Sequence, residues 1–249
     1  MELQVVVREL LSYENTYKEV SESGVKIVIL PIGSHEQHSL HLPYCTDTVI
    51  ISSVANEVAR RMNAFLLPCL SYSSSMEHRG FIGSVWLTPS TLRLVVQDIV
   101  KSLYFHEVRK IVIMNGHGGN FVLKPTVREL NFRLKGLKLI LVDFGFMTST
   151  GVDGDIHSGE FETSLMLYLR PDLVKGSGVD YVPSGPRNYL DYLGLKQLSE
   201  QGVWGYPTKA SRSKGEKYFS DLVEKAIKYV QKAFEVLDLH EEGKPANTS

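Results

Sequence analysis

Apolar, β-branched runs recur along the chain just ahead of Gly-rich or polar stretches, at residues 26–32, 64–70, 110–114 and 138–144. Their length and composition are those of buried strands. Between them, residues 47–62, 91–105 and 121–134 carry apolar positions at helical period, and Ser90 is placed to cap the second of these. Strand followed by helix, repeated, predicts a three-layer α/β/α fold with a mainly parallel central sheet. In such a sheet functional groups gather beyond the carboxyl ends of the strands. A further helix is expected over residues 158–169, stopping before Pro171, and a last amphipathic one from residue 215 to about 237. The pattern fails between them. Residues 171–214 are rich in Gly, Pro, Ser and Tyr and too long for a passive connection, so they are expected to form a functional flap or a contact between copies. The whole reads as one domain over residues 1–240 with a frayed tail at 241–249, in which the Asn247-Thr-Ser sequon carries no weight.

Composition narrows the partners. Of 249 residues, 43% are hydrophobic and 22% charged, an ordinary globular balance. Lys plus Arg total 27 against 28 for Asp plus Glu, so no broad field attracts phosphate backbones or anionic lipid, and neither nucleic acid nor membrane is an expected partner. No run approaches the roughly 18 apolar residues that span a bilayer. The first ten residues include Glu2, Arg8 and Glu9 and lack a signal peptide's apolar core, so a cytoplasmic location is expected. Cys45 and Cys69 are too few for a disulfide framework and are expected to be buried thiols.

The candidate chemistry follows the strands. Directly after the first comes Gly33-Ser-His-Glu-Gln-His-Ser-Leu-His-Leu-Pro-Tyr-Cys-Thr-Asp47, with three His, one Glu and one Asp in fifteen residues. Glu36 and His38 stand two apart, so in an extended loop both side chains leave on one side and can reach neighbouring ions. Asp47 opens the next helix, where a carboxylate also complements the helix terminus without any metal. The third strand ends in Asn115-Gly-His-Gly-Gly-Asn120, which brings His117 to the same edge. Its glycines allow a close approach to a ligand, but the loop lacks the Walker Lys and the G-x-G-x-x-G spacing of nucleotide binders. After the fourth strand, Asp155-Ile-His-Ser-Gly-Glu-Phe-Glu-Thr163 again offers acids and a His. With a helix starting near Ser158, His157 and Glu160 share a face whereas Glu162 points elsewhere, which favours Glu160 as a ligand. Both acids also suit a first helical turn for its dipole alone. Jointly, Glu36, His38, Asp47, His117 and Glu160 surround one crevice, and a thiolate-free set of carboxylates and imidazoles suits zinc, manganese or iron.

Three segments, Gly-Ser-His-Glu-Gln-His with the following His-Leu-Pro and Thr-Asp, Asn-Gly-His-Gly-Gly-Asn, and His-Ser-Gly-Glu-Phe-Glu-Thr-Ser, resemble the creatininase (creatinine amidohydrolase) family and occur in its order. The match begins near Ile29, takes in Ser75-Met-Glu-His78 and Gly202-Val-Trp-Gly205 and extends to about Gly215; Ser39 replaces the usual Gly. The resemblance implies a creatininase-like fold and two divalent ions per chain, zinc first, with manganese or iron as alternatives. It implies that Glu36 and His117 hold one ion and His38 with an acid the other, Asp47 bridging them. Creatinine-hydrolysing members take that acid from two residues beyond the equivalent of His117, where this chain has Gly119; Glu160 is the expected replacement. They also place an aromatic residue and a Trp where this chain has Gly118 and Asp153, which turns the expectation away from creatinine itself.

On this reading the chain is an amidohydrolase that uses a hydroxide bridging two ions about 3.5 to 4 Å apart to hydrolyse a small cyclic or non-peptide amide. His157, unliganded, passes a proton to the leaving nitrogen. Ser75, Gly118 and Gly119 are expected to orient substrate, and Glu162 and His41 to support the ligands, with His35 and His78 likewise in supporting or surface positions. The family resemblance also admits a deformylase of a formamidopyrimidine nucleotide precursor or a peptidase of a short peptide precursor. A metal- or nucleotide-binding protein without turnover is the alternative from another class. Family members commonly assemble as hexamers, so a homo-oligomer is expected.

Overall fold

The computed structural model describes residues 10–144 and 154–241. Its strands β1 (Ile27–Ile32), β2 (Phe65–Leu66), β3 (Lys110–Asn115) and β4 (Lys138–Asp143) form one parallel sheet in the order β2-β1-β3-β4. Period-two alternation sends neighbouring residues to opposite faces. Ile29, Val112, Met114, Ile140 and Val142 pack against α2 (Thr46–Met62), α5 (Glu160–Leu169) and α7 (Arg212–Glu241). Leu30, Ile32, Ile111, Ile113 and Leu139 pack against α3 (Pro89–Phe105) and α4 (Leu123–Arg133) on the other side. The expected three layers and parallel sheet are therefore present. Each buried large aliphatic side chain in these clusters is worth a few kcal/mol, of the order lost on truncation to Ala.

Registration, more than core size, positions the site. Ile32 pairs with Asn115 and Asn115 with Asp143, so β1, β3 and β4 end level and release their loops side by side. Among the described residues no helix is long and apolar enough to cross a membrane.

Several boundaries differ from expectation for local reasons. The run at 64–70 contributes a two-residue strand, because Pro68 has no N–H to donate; Leu67 and Leu70 still bond to β1 carbonyls on either side of it. Helix α3 begins earlier: Pro89 takes the first helical position, and Thr88, not Ser90, caps it by accepting from the Thr91 N–H at 3.2 Å. α7 starts three residues before Gly215 and runs past 237. A short helix, α1 (Tyr17–Glu22), carries no amphipathic signal but has a reciprocal cap between Thr16 and Glu19. Cys45 and Cys69 are unpaired and half-buried, not fully buried. Within 171–214 the chain forms 3-10 turns at Pro171–Leu173, Arg187–Asp191 and Pro207–Lys209 and one helical turn, α6 (Leu195–Leu198). Asp153 and the sequon at Asn247 lie outside the described residues, as does the expected tail beyond Glu241.

Candidate metal centre

The level strand ends bring together side chains far apart in sequence. Asp47, in the first turn of α2, turns away from its helix and divides its two oxygens. Oδ1 lies 3.1 Å from Nε2 of His38, and Oδ2 lies 3.1 Å from Nδ1 of His117. Ser34 donates to Oδ2 at 2.7 Å and fixes the carboxylate. Glu36 faces the same space, with Oε2 at 3.2 Å from Nε2 of His117 and Oε1 at 3.2 Å from Nε2 of His78. Glu162 completes the other side, 3.7 Å from Nε2 of His38. His157 lies between His38 and His78, its ring tilted against both, with centroids 4.4 and 4.5 Å away. Its Nε2 lies 2.9 Å from the Gln37 carbonyl, which can only accept. The Gln37 side-chain amide nitrogen, which can only donate, stands 3.2 Å from the same Nε2, and Nδ1 lies 3.8 Å from Oε1 of Glu36.

Burial sets the charges. It pushes the Glu36 carboxyl up to about 7 against the pull of His117, and that of Glu162 up to about 8. Burial also presses on Asp47, but His38 and His117 outweigh it and hold this carboxyl well below its usual range. The same burial would discharge the two rings; Asp47 and Glu162 instead raise His38 to about 10, and Glu36 with Asp47 raises His117 well above normal. His78 and His157 are driven well below the usual imidazole value, by burial first and by neighbouring cationic rings second.

This donor set fits divalent cations. Both Glu36 oxygens are fully buried, and although ring nitrogens stand near, none is aligned as a hydrogen-bond donor. A buried carboxylate without donors is costly unless a cation meets it. Three groups have ligand atoms mutually within 4.8 Å: Glu36 with Asp47 and His117, His38 with His157 and Glu162, and Glu36 with His78 and His157.

Glu160 does not join them. Its Oε1 accepts from the Tyr218 hydroxyl at 2.8 Å and from Nζ of Lys214 at 2.9 Å, so the side chain ties α5 to the start of α7. The helical spacing between His157 and Glu160 fails because His157 precedes the helix, in a bridge with Trp204. Asp155 caps the helix instead, accepting the Glu160 and Phe161 N–H groups at 2.8 and 2.9 Å. Glu162, expected only to support the ligands, is the acid that reaches the cluster.

His41 is buried apart from the ligand groups, with Nε2 2.9 Å from the Thr163 hydroxyl; burial and then His38 lower its pKa to about 4. His35 stacks on Tyr44, with centroids 5.6 Å apart. His78 lies against Glu36 rather than at the surface. Glu77, which sequence reasoning passed over, places Oε1 3.2 Å from Nε2 of His117. Both follow β2 as the other clusters follow their strands, a signal weakened by the stretch of chain that separates them from it. Ser75 is fully buried, its hydroxyl unpaired among the described residues. The backbone of Gly119 runs so close to Glu77, His117 and the Ser74 carbonyl that a Cβ there would overlap all three. Part of 171–214 closes over this space: Trp204 bonds the His157 backbone in both directions, and the Gly202 carbonyl faces Gln37.

A family profile described as creatinine amidohydrolase matches residues 13–230. The chain is 34% identical over 214 residues to a mycofactocin precursor peptide peptidase of Mycolicibacterium smegmatis, covering 81% of this chain and 83% of that protein. It is 31% identical over 231 residues to creatinine amidohydrolase of Pseudomonas putida, covering 82% and 89%. A creatininase crystal structure superimposes with a TM-score of 0.79 at 29% identity, over 91% of this chain and 99% of that one. Related creatininase structures are described as a manganese form and, for a variant, a Zn-Zn form.

Proposed function

The chain belongs to the creatininase family, and on that footing we propose that it is a two-metal hydrolase of a C–N bond whose substrate is a short peptide. The observation that carries the metal reading is the fully buried Glu36 carboxylate with no aligned donor, flanked by Asp47 and His117. Glu36, His117 and Asp47 would hold one ion, and His38, Glu162 and Asp47 the other, since the two Asp47 oxygens face the two sides separately. When bound, two divalent ions supply Lewis-acid charge to a substrate carbonyl and lower the pKa of water.

The chain's own groups do the rest. With Nε2 of His157 donating to the Gln37 carbonyl, Nδ1 would take a proton and return it to the leaving nitrogen. His157 suits this role because burial keeps it neutral. The peptide reading rests on the identity to the precursor peptide peptidase. The similar creatinine amidohydrolase keeps a small cyclic amide as a second reading. A cradle for nucleotide phosphate is disfavoured by the Glu77 carboxylate beside Gly119. Assembly with further copies of the chain belongs to the same proposal.

Elemental analysis and turnover test it together. Two ions per chain, with hydrolysis of short peptides and little or none of creatinine or formamides, is the expected result. His157→Ala should lose hydrolysis by about 100-fold or more yet keep both ions. One ion or none would remove the two-metal mechanism, and undiminished activity in the variant would remove His157 from it.

A further inference from the structure

Gly118 follows His117 directly, and a Cβ built there would lie 2.5 Å from a terminal guanidinium nitrogen of Arg187. The arginine side chain therefore rests against the loop that carries His117, in the space a side chain at 118 would fill. It is exposed, and among the described residues its guanidinium has no hydrogen bond, ion pair or ring contact. The neighbouring cluster is rich in acids, with Glu36, Asp47, Glu77 and Glu162, yet none of these pairs with Arg187. Its position is set from outside the sheet, by the 3-10 turn Arg187–Asp191 within the irregular stretch that closes over the site.

We infer that Arg187 is the receptor for a substrate carboxylate, the C-terminal group of the peptide bound for cleavage. A guanidinium offers a planar fork of donors matched to a carboxylate, and this fork is unspent. Placed one residue from His117, it would draw the end of the substrate across the Gly118 backbone, and Gly118 leaves room for it. Two cations and a guanidinium beside four acids also leave a site that tolerates an anion. The inference rests on the peptide reading above and concerns only how the substrate is recognised.

The test compares acetyl-Ala-Ala-Phe with a free carboxylate against the same peptide as its C-terminal amide. Both are used with the zinc-loaded enzyme, and both binding by calorimetry and KM are measured. Wild type should favour the free acid by roughly 10- to 100-fold, the range of a charge-assisted hydrogen-bonded pair. Arg187→Ala should remove that preference while leaving affinity for the amide unchanged, with Arg187→Lys restoring part of it. Equal binding of acid and amide by wild type, or a preference that survives in Arg187→Ala, would overturn the inference even where hydrolysis proceeds. Binding with the expected preference but no turnover of any peptide would support Arg187 as receptor and count against the hydrolase reading instead. A preference seen only for phosphate monoesters over their parent alcohols would reassign the cation to phosphate and overturn the carboxylate.

Discussion

The Glu77 carboxylate stands 3.2 Å from Nε2 of His117, in space that exists because residue 119 is a glycine. The Ser74 carbonyl lies 3.1 Å from the same nitrogen and can only accept, so Nε2 carries a proton and Nδ1 is turned toward Asp47. Glu77 thus stands beside the ring at Nε2, a nitrogen that Oε2 of Glu36 approaches to the same 3.2 Å, and we expect it to orient the ring as carboxylates commonly do behind metal-binding histidines. Glu77→Ala should weaken binding of one ion by about 10- to 100-fold, and Glu77→Gln, which keeps an acceptor, by less. Chelator competition measures both; wild-type affinity in the Ala variant would show that Glu77 plays no such part.

The two glutamates of α5 should separate cleanly on substitution. Glu162→Gln is expected to lower metal content from two ions toward one with little change in thermal stability of the metal-free protein. Glu160→Gln should retain both ions and cost about 1 to 2 kcal/mol of stability, since Tyr218 and the partly exposed Lys214 lose a charged acceptor. Elemental analysis with thermal melts distinguishes them, and loss of an ion in the Glu160 variant would reverse the assignment.

Metal binding should release protons. In the metal-free protein Glu36 titrates near 7, Glu162 near 8 and His38 near 10, all above their ordinary values, and each must give up its proton to bind a cation. Affinity should therefore climb with pH from about 6 to beyond 8. The sign for stability is opposite. Groups raised on folding stabilise the metal-free fold below their unfolded pKa and lose that contribution as pH rises through the folded values. His41, His78 and His157, lowered on folding, add stability as pH rises to about 6.5 and there oppose the carboxyls; above that only the raised groups remain, so the metal-free protein should weaken from pH about 6.5 toward 8 through Glu36 and Glu162, and further toward 10 through His38. Calorimetry in buffers of differing ionisation enthalpy counts the protons; a pH-independent affinity would contradict the ligand set.

Ser39 has φ of 60°, in the left-handed region where a Cβ is unfavourable. Its N–H is held by the Gln37 side chain at 2.7 Å, which maintains the turn between His38 and Leu40. Ser39→Gly should relieve the strain and stabilise the protein by up to about 1 kcal/mol, the gain reduced by the freer unfolded chain. A melt at fixed pH and metal loading checks it; a clear loss of stability would mean that the serine makes up for its strain.

The strands, the helices and the convergence of three clusters were legible in the chain itself, because burial imposes a period of two on strands and about 3.6 on helices. The parallel order then fixes which loop ends meet, so Glu36, His38, Asp47 and His117 could be grouped without coordinates. Pro68 and Thr88 show how far that reading reaches, since a missing N–H and a competing cap two residues earlier are local facts overlooked within the pattern. Glu77 and His78 lie well downstream of the run at 64–70, at a distance from which that strand alone does not mark them. The choice between Glu160 and Glu162 was of another kind. It depends on where α5 begins, and that is set by Asp155 capping its N–H groups and by Trp204, some 47 residues away in sequence, pairing with His157. Periodicity supplies the candidates for a buried site, but the direction of each carboxylate is decided by which distant donor is close enough to claim it. For Glu160 those donors are Tyr218 and Lys214, and only the packing of α7 against α5 brings them there.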